Sequence, residues 1–118
     1  MLARAEAALK AGKRDEARQV YDALAQKRAP LDAEPRLAAI AHALGLADAA
    51  VAHMRRASQA KPGDAALQGN LGALLQTAGR LEEARRCLDR AIALKPDFTA
   101  AHYNLGIVLA RLGDPNAA

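Results

Sequence analysis

Apolar residues recur along the chain with the period of an α-helix. In residues 65–78 the leucines follow an i, i+4, i+7, i+8 spacing, which places them on one stripe of a helix. These leucines are Leu67, Leu71, Leu74 and Leu75. Read together with the capping, glycine and proline signals that end helices, the pattern predicts seven helices. Their ranges are 2–11, 15–27, 33–44, 47–60, 65–78, 81–94 and 98–112.

Glycine and alanine recur at an interval of 34 residues. Self-similarity at this interval indicates stacked copies of one structural unit. Each unit is predicted to be two helices joined by a tight turn at a glycine. The recurring residues are Gly45, Gly79 and Gly113, and Ala50, Ala84 and Ala118. A weaker first copy, with Gly12 and Ala17, fits if one residue is dropped.

Small residues are expected where the two helices of a unit meet. Gly72 and Gly106 on first helices, and Ala84 and Ala50 on second helices, leave room for two helix backbones to approach closely. Large residues then fill the remaining space, and these are Tyr21, Met54, Leu75 and Leu88. With 52% hydrophobic but only 3% aromatic residues, the core must consist mainly of alanine and leucine.

The repeat resembles the tetratricopeptide repeat (TPR). The match is clearest over 65–98, at Leu71, Gly72, Leu75, Gly79, Ala84, Leu88, Ala91 and Pro96. The repeats cover about 1–30 in degenerate form, then 31–64, 65–98 and 99–118, and they look like those of bacterial TPR proteins and O-GlcNAc transferase-like proteins. Gln68 and His102 stand where an aromatic usually opens the first helix. The resemblance implies an all-α fold, a right-handed superhelix of antiparallel helix pairs with about three and a half repeats.

The resemblance also implies a concave groove lined by first helices, which takes up an extended peptide or a partner helix. Asn70 and Asn104 occupy the same place in successive units, at the flank of the apolar stripe. A planar amide both donates and accepts hydrogen bonds, so such a row can bind peptide backbone. Arg36 and Ala3 interrupt the row earlier. The alternative is that asparagine is simply a common polar residue on this face.

The full set of groove candidates follows from the same helical geometry. It comprises Arg36, Asn70, Gln76, Thr77, Tyr103, Asn104, Ile107 and Arg111, with Gly69, Ala73 and Ala110 between them. Tyr103, Ile107 and Arg111 together are typical of an anchor pocket. Arg36 and Arg111 are two units apart, which argues against a clamp for a peptide carboxylate.

Other chemistry finds little support in the sequence. The net charge is +4, but both signs are interspersed and no basic run carries stacking aromatics, so no nucleic-acid partner is expected. His42, His53 and His102 lack the spacing of a metal site, and Cys87 is interpreted as a half-buried apolar residue. No catalytic set and no cofactor are predicted. The alternative to a binding scaffold is the substrate-presenting arm of a larger glycosyltransferase-like enzyme.

The C-terminal region carries further expectations. Asp114 and Pro115 are predicted to start an eighth helix, which makes the chain look like a fragment of a longer protein. The helix over 98–112 would then present an open apolar stripe, and a homodimer through 98–118 is expected. No signal peptide or membrane-spanning run is found, and a cytoplasmic location is expected.

Overall fold

The protein is built of helices joined by short turns. The computed structural model describes residues 1–27 and 29–113, and within these ranges it contains no strand. The helices are α1 (Leu2–Lys10), α2 (Arg14–Ala25), α3 (Glu34–Ala43), α4 (Ala47–Ala60), α5 (Ala65–Thr77), α6 (Leu81–Leu94) and α7 (Thr99–Gly113). The seven predicted helices and the all-α class are confirmed, with ends displaced by two residues at most. A short 3-10 helix, Leu31–Ala33, was not predicted. The predicted eighth helix, from Pro115, lies outside the described residues.

The helices group into two compact units, Met1–Ala57 and Ser58–Ala118. In the first unit α1 packs against α2 and α3, and in the second α6 packs against both α5 and α7. Each of these helices therefore buries one face against its neighbours, as the amphipathic pattern requires.

The tight turns between paired helices are confirmed at three glycines. Gly12, Gly45 and Gly79 have φ angles of 76°, 78° and 81°, a left-handed conformation that strains other residues. At each turn two hydrogen bonds close the helix end; after α5 the Gly79 N–H donates to the Gln76 carbonyl and the Arg80 N–H to the Leu75 carbonyl. Gly113 differs, because it is the last residue of α7 rather than a turn residue.

Close approach of two helices is confirmed at Gly72. A Cβ atom at this position would lie 2.7 Å from Cγ of Leu88 and 3.4 Å from the carbonyl oxygen of Ala84. At Gly106 a Cβ atom would meet no described residue within 4 Å, and the helix predicted to pack there lies outside the described residues, so close approach at Gly106 stays a prediction. No described helix follows α7 to cover that face.

Polar residues form a buried network in the first unit, which sequence reasoning missed. Glu34 is fully buried at the start of α3, and its Oε2 lies 2.6 Å from Nδ1 of His53. Nε2 of His53 lies 2.8 Å from the hydroxyl of Tyr21. Arg56 adds an ion pair, with Nη2 3.0 Å from Oε1 of Glu34. Three elements, α2, α3 and α4, are thus connected through polar side chains inside an otherwise apolar core.

Candidate functional site

Two amide side chains stand at matching places on the first helices of the second unit. Asn70 on α5 is exposed, and Asn104 on α7 is half-buried. Among the described residues, no hydrogen bond occupies either side-chain amide. Each amide therefore keeps donors and acceptors for another molecule.

Arg111 joins the C-terminal end of α5 to α7. Its Nη1 donates a hydrogen bond of 3.1 Å to the main-chain carbonyl of Gln76. A cation is favoured at this end of a helix because unpaired carbonyls give it partial negative charge. The structure thus brings Gln76 and Arg111 together, and gives Arg111 a structural contact that the sequence did not reveal. The neighbouring Thr77 hydroxyl donates to the Ala73 carbonyl within α5 at 3.2 Å.

Apolar side chains are open on α7. Tyr103 is 70% exposed and Leu109 48% exposed, and Ile107 is half-buried. The expected place of Gly69 on the same open surface is wrong. Gly69 is buried, and a Cβ atom there would lie 3.0 Å from the ring of Phe98. The ring packs onto the glycine because that position has no side chain.

Arg36 belongs to the first unit, whereas the other seven candidates belong to the second. Its guanidinium forms a two-pronged ion pair with Glu6 of α1, with Nε 3.3 Å from Oε2. The hydrogen bond from Arg36 lowers the pKa of Glu6, and the same bond raises the pKa of Arg36. Beside this pair lies a cavity of about 350 Å³ lined by Glu6, Leu9, Lys10, Ala39 and Ile40.

Metal and membrane chemistry are without support in the described ranges. No group of three or more His, Cys, Asp or Glu side chains there could hold a metal ion. No helix in the same ranges has both the length and the apolar character needed to cross a bilayer. Cys87 is buried, more fully than predicted.

Family models account for most of the chain. A model described as tetratricopeptide repeat matches residues 2–65, and a second, described as TPR repeat, matches residues 77–113. The chain belongs to the tetratricopeptide repeat family. The predicted resemblance is therefore confirmed, and the paired helices with their glycine turns are TPR units.

The curated relatives of this TPR chain include peroxisomal targeting signal receptors of yeasts. The receptor of Kluyveromyces lactis is 41% identical over 59 residues, which cover 50% of this chain and 10% of the receptor. That of Candida glabrata is 29% identical over 111 residues, covering 86% of this chain and 19% of the receptor. The chain thus spans about a tenth to a fifth of the length of these relatives.

Solved structures share the fold. YrrB, a TPR protein with an unusual peptide-binding site, superposes with a TM-score of 0.77 at 20% identity, covering 96% of this chain and 59% of YrrB. The first TPR of Spaghetti (RPAP3), bound to an HSP90 peptide, gives 0.73 at 20% identity, covering 95% and 90%. A Thermobaculum terrenum O-GlcNAc transferase mutant gives 0.70 at 28% identity, covering 98% of this chain and 23% of the transferase.

Proposed function

We propose that this TPR chain is a protein-interaction scaffold, which binds an extended peptide of a partner protein along the face of its first helices. The repeats at about 1–30, 31–64, 65–98 and 99–118 form one domain in this proposal. The observation that carries it is the recurrence of Asn70 and Asn104, whose amides are unoccupied by described residues.

The repeat interval explains why two such amides suit a peptide. Equivalent positions on successive first helices lie in a row. The two amides therefore repeat in one direction, as the peptide groups of an extended backbone do. One amide can donate to a peptide carbonyl and accept from a peptide N–H. Affinity then depends on the backbone, while Tyr103 and Ile107 supply apolar contacts to side chains.

The similar proteins support a peptide as the ligand. The Spaghetti (RPAP3) domain holds an HSP90 peptide, and YrrB has a peptide-binding site. The yeast relatives are receptors for a targeting signal. The alternative of a partner helix remains open to the same test.

Changing both Asn70 and Asn104 to alanine is expected to weaken peptide binding by about 1–3 kcal/mol, or about one net hydrogen bond per site. The probe is a ten-residue peptide selected from a random library on the unaltered protein, and its Kd is measured by calorimetry. The melting temperature should change little, because neither amide has a hydrogen bond to a described residue, and substitutions away from such contacts cost about 0.5 kcal/mol or less.

Gln19 and Gln59 provide the matched control. Both are exposed amides, but they lie on the second helices α2 and α4. Their double alanine variant should bind the peptide as the unaltered protein does. The proposal would be rejected if both double variants lost the same amount of peptide affinity. It would also be rejected if the asparagine variant lost much stability while its peptide affinity stayed unchanged.

A second candidate function is the substrate-presenting arm of a larger transferase. The favouring observation is the O-GlcNAc transferase, whose 28% identity extends over 98% of this chain. The scaffold itself needs no cofactor under either proposal. We expect the product of the complete gene to transfer a sugar, and we expect deletion of residues 1–118 to abolish this activity. Absence of sugar transfer by the complete gene product would reject this candidate.

The open face of α7 further predicts self-association. Tyr103 and Leu109 are exposed, and no described residue lies within 4 Å of a Cβ atom at Gly106, so a second copy can pack its own α7 there. Sedimentation at increasing concentration is expected to show a dimer that Leu109→Glu converts to monomer. A monomer at the highest concentration would contradict this expectation.

A further inference from the structure

An apolar cavity lies in the first unit, apart from the cavity beside the Arg36–Glu6 pair. Its volume is about 220 Å³, and its described lining comes from the start of α1, the end of α2, the following loop, the 3-10 helix and α3. The lining residues are Leu2, Leu24, Lys27, Ala29, Pro30, Ala33 and Leu37. Lys27 supplies the charged group of this lining.

The second unit shows what fills the corresponding space. Counted from the turn glycines Gly12 and Gly79, Leu2 corresponds to Gly69 and Leu24 to Ala91. Gly69 faces the ring of Phe98, and a Cβ atom on it would also lie 3.9 Å from Cβ of Ala91. An aromatic ring therefore occupies this place in the second unit.

Among the described residues of the first unit, no aromatic side chain lines this cavity. By the same count, Ala29, Pro30 and Leu31 correspond to Pro96, Asp97 and Phe98. Leu31 therefore holds the place of Phe98, but its side chain is 56% exposed and does not line the cavity. The side chains of Leu2 and Leu24 are larger than those of their counterparts, yet a cavity remains.

A cation stands near both positions. The ammonium group of Lys95 lies 5.3 Å from the centre of the Phe98 ring, a cation–π distance. Lys27 lines the cavity of the first unit, so a ring bound there would meet a cation as well. The cavity thus offers an apolar site for a flat ring with a positive charge beside it.

We infer that this cavity is an acceptor site for an aromatic side chain of a partner protein. The site is independent of the asparagine face of the second unit. It gives the scaffold an anchor point in its first unit, where a phenylalanine, tyrosine or tryptophan of the partner takes the place that Phe98 holds in the second.

The test uses N-acetyl-L-phenylalanine amide as the probe and N-acetyl-L-leucine amide as its aliphatic counterpart. Methyl NMR spectra of the full chain follow Leu2, Leu24, Leu37 and Ala33 during titration. Saturable shifts at these methyl groups are expected, with a Kd of about 1 mM for a ligand of this size. The leucine amide should bind several-fold more weakly.

Two variants examine the cavity and its charge. Ala33→Leu fills the cavity and is expected to abolish the shifts, whereas Ala39→Leu, which alters the other cavity of the same unit, should leave them unchanged. Lys27→Gln should lower the affinity for the phenylalanine amide about two- to five-fold, the size of an exposed cation–π contact. The affinity for the leucine amide should not change. Lys27 is exposed, so this variant keeps the fold even if Ala33→Leu does not.

Three results would overturn the inference. The first is the absence of shifts at the lining methyl groups up to about 20 mM probe, well above the Kd expected for its size. The second is equal affinity for the two amides, and the third is shifts spread over the whole protein. Asn70 and Asn104 do not line this cavity. None of these three results would therefore contradict the proposed peptide-binding face.

Discussion

Replacing Gly72 with valine is expected to lower the free energy of unfolding by about 3 kcal/mol, the upper range for overpacking a core. A Cβ atom at this position already lies 2.7 Å from Leu88, and the branched side chain brings two more carbons into the same space. Leu88 is fully buried and cannot move into solvent. For a domain of this size the melting temperature should fall by about 12 °C. Chemical denaturation followed by circular dichroism measures the free energy of unfolding, and thermal denaturation measures the melting temperature.

Gly106 is the matched control, because it occupies the same repeat position on α7. A Cβ atom there meets nothing within 4 Å in the described structure. Gly106→Val should change stability by about 0.5 kcal/mol or less, since valine has a slightly better helix propensity than glycine. Equal destabilisation by the two valines would show that contact with Leu88 is not the cause.

The helices were predictable because each has local signals that its neighbours in sequence supply. Asp64 illustrates this point, since its side chain accepts a hydrogen bond of 3.2 Å from the N–H of Leu67 and begins α5 as an N-cap. The turn at Gly79 likewise depends on residues within one helical turn. Such features need no knowledge of tertiary packing.

The buried network could not be derived in this way, because its members are 19 and 32 residues apart. In the sequence, Glu34 is indistinguishable from an ordinary acidic residue in the first turn of a helix. Tyr21 is likewise interpreted as a residue that fills the core. One signal was available. The repeat places Glu34, Gln68 and His102 at the same position, where an aromatic usually stands, so a series of polar residues replaces it.

The site was predictable only in part. The repeat interval places Asn70 and Asn104 correctly on first helices, and their amides have no partner among described residues. The partners of Arg36 and Arg111 depend on how first helices pack on one another. Arg36 pairs with Glu6, 30 residues away, and Arg111 bonds the Gln76 carbonyl, 35 residues away. Both arginines are therefore partly committed to holding helices together.

The buried network should make His53 one of the most sensitive positions in the first unit. His53→Ala removes the ring between Glu34 and Tyr21. Among the described residues, the carboxylate then keeps its ion pair with Arg56, and the phenol loses the imidazole that it contacts. Leaving a buried group without its hydrogen-bond partner costs about 1–3 kcal/mol, and here both Glu34 and Tyr21 lose the imidazole. The exposed His42 on α3 is the control, and His42→Ala should cost about 0.5 kcal/mol or less.

A double-mutant cycle separates this cause from the loss of packing volume. Glu34→Leu alone leaves His53 without its carboxylate, and His53→Leu alone leaves Glu34 without its imidazole. The variant with both substitutions removes the two polar groups together. The double variant is expected to be more stable than the sum of the single losses predicts, with a coupling of about 1–3 kcal/mol. Replacing both partners of a buried polar pair by apolar groups is often close to neutral, whereas removing one is not. Strictly additive losses in urea denaturation would mean that Glu34 and His53 contribute through packing alone.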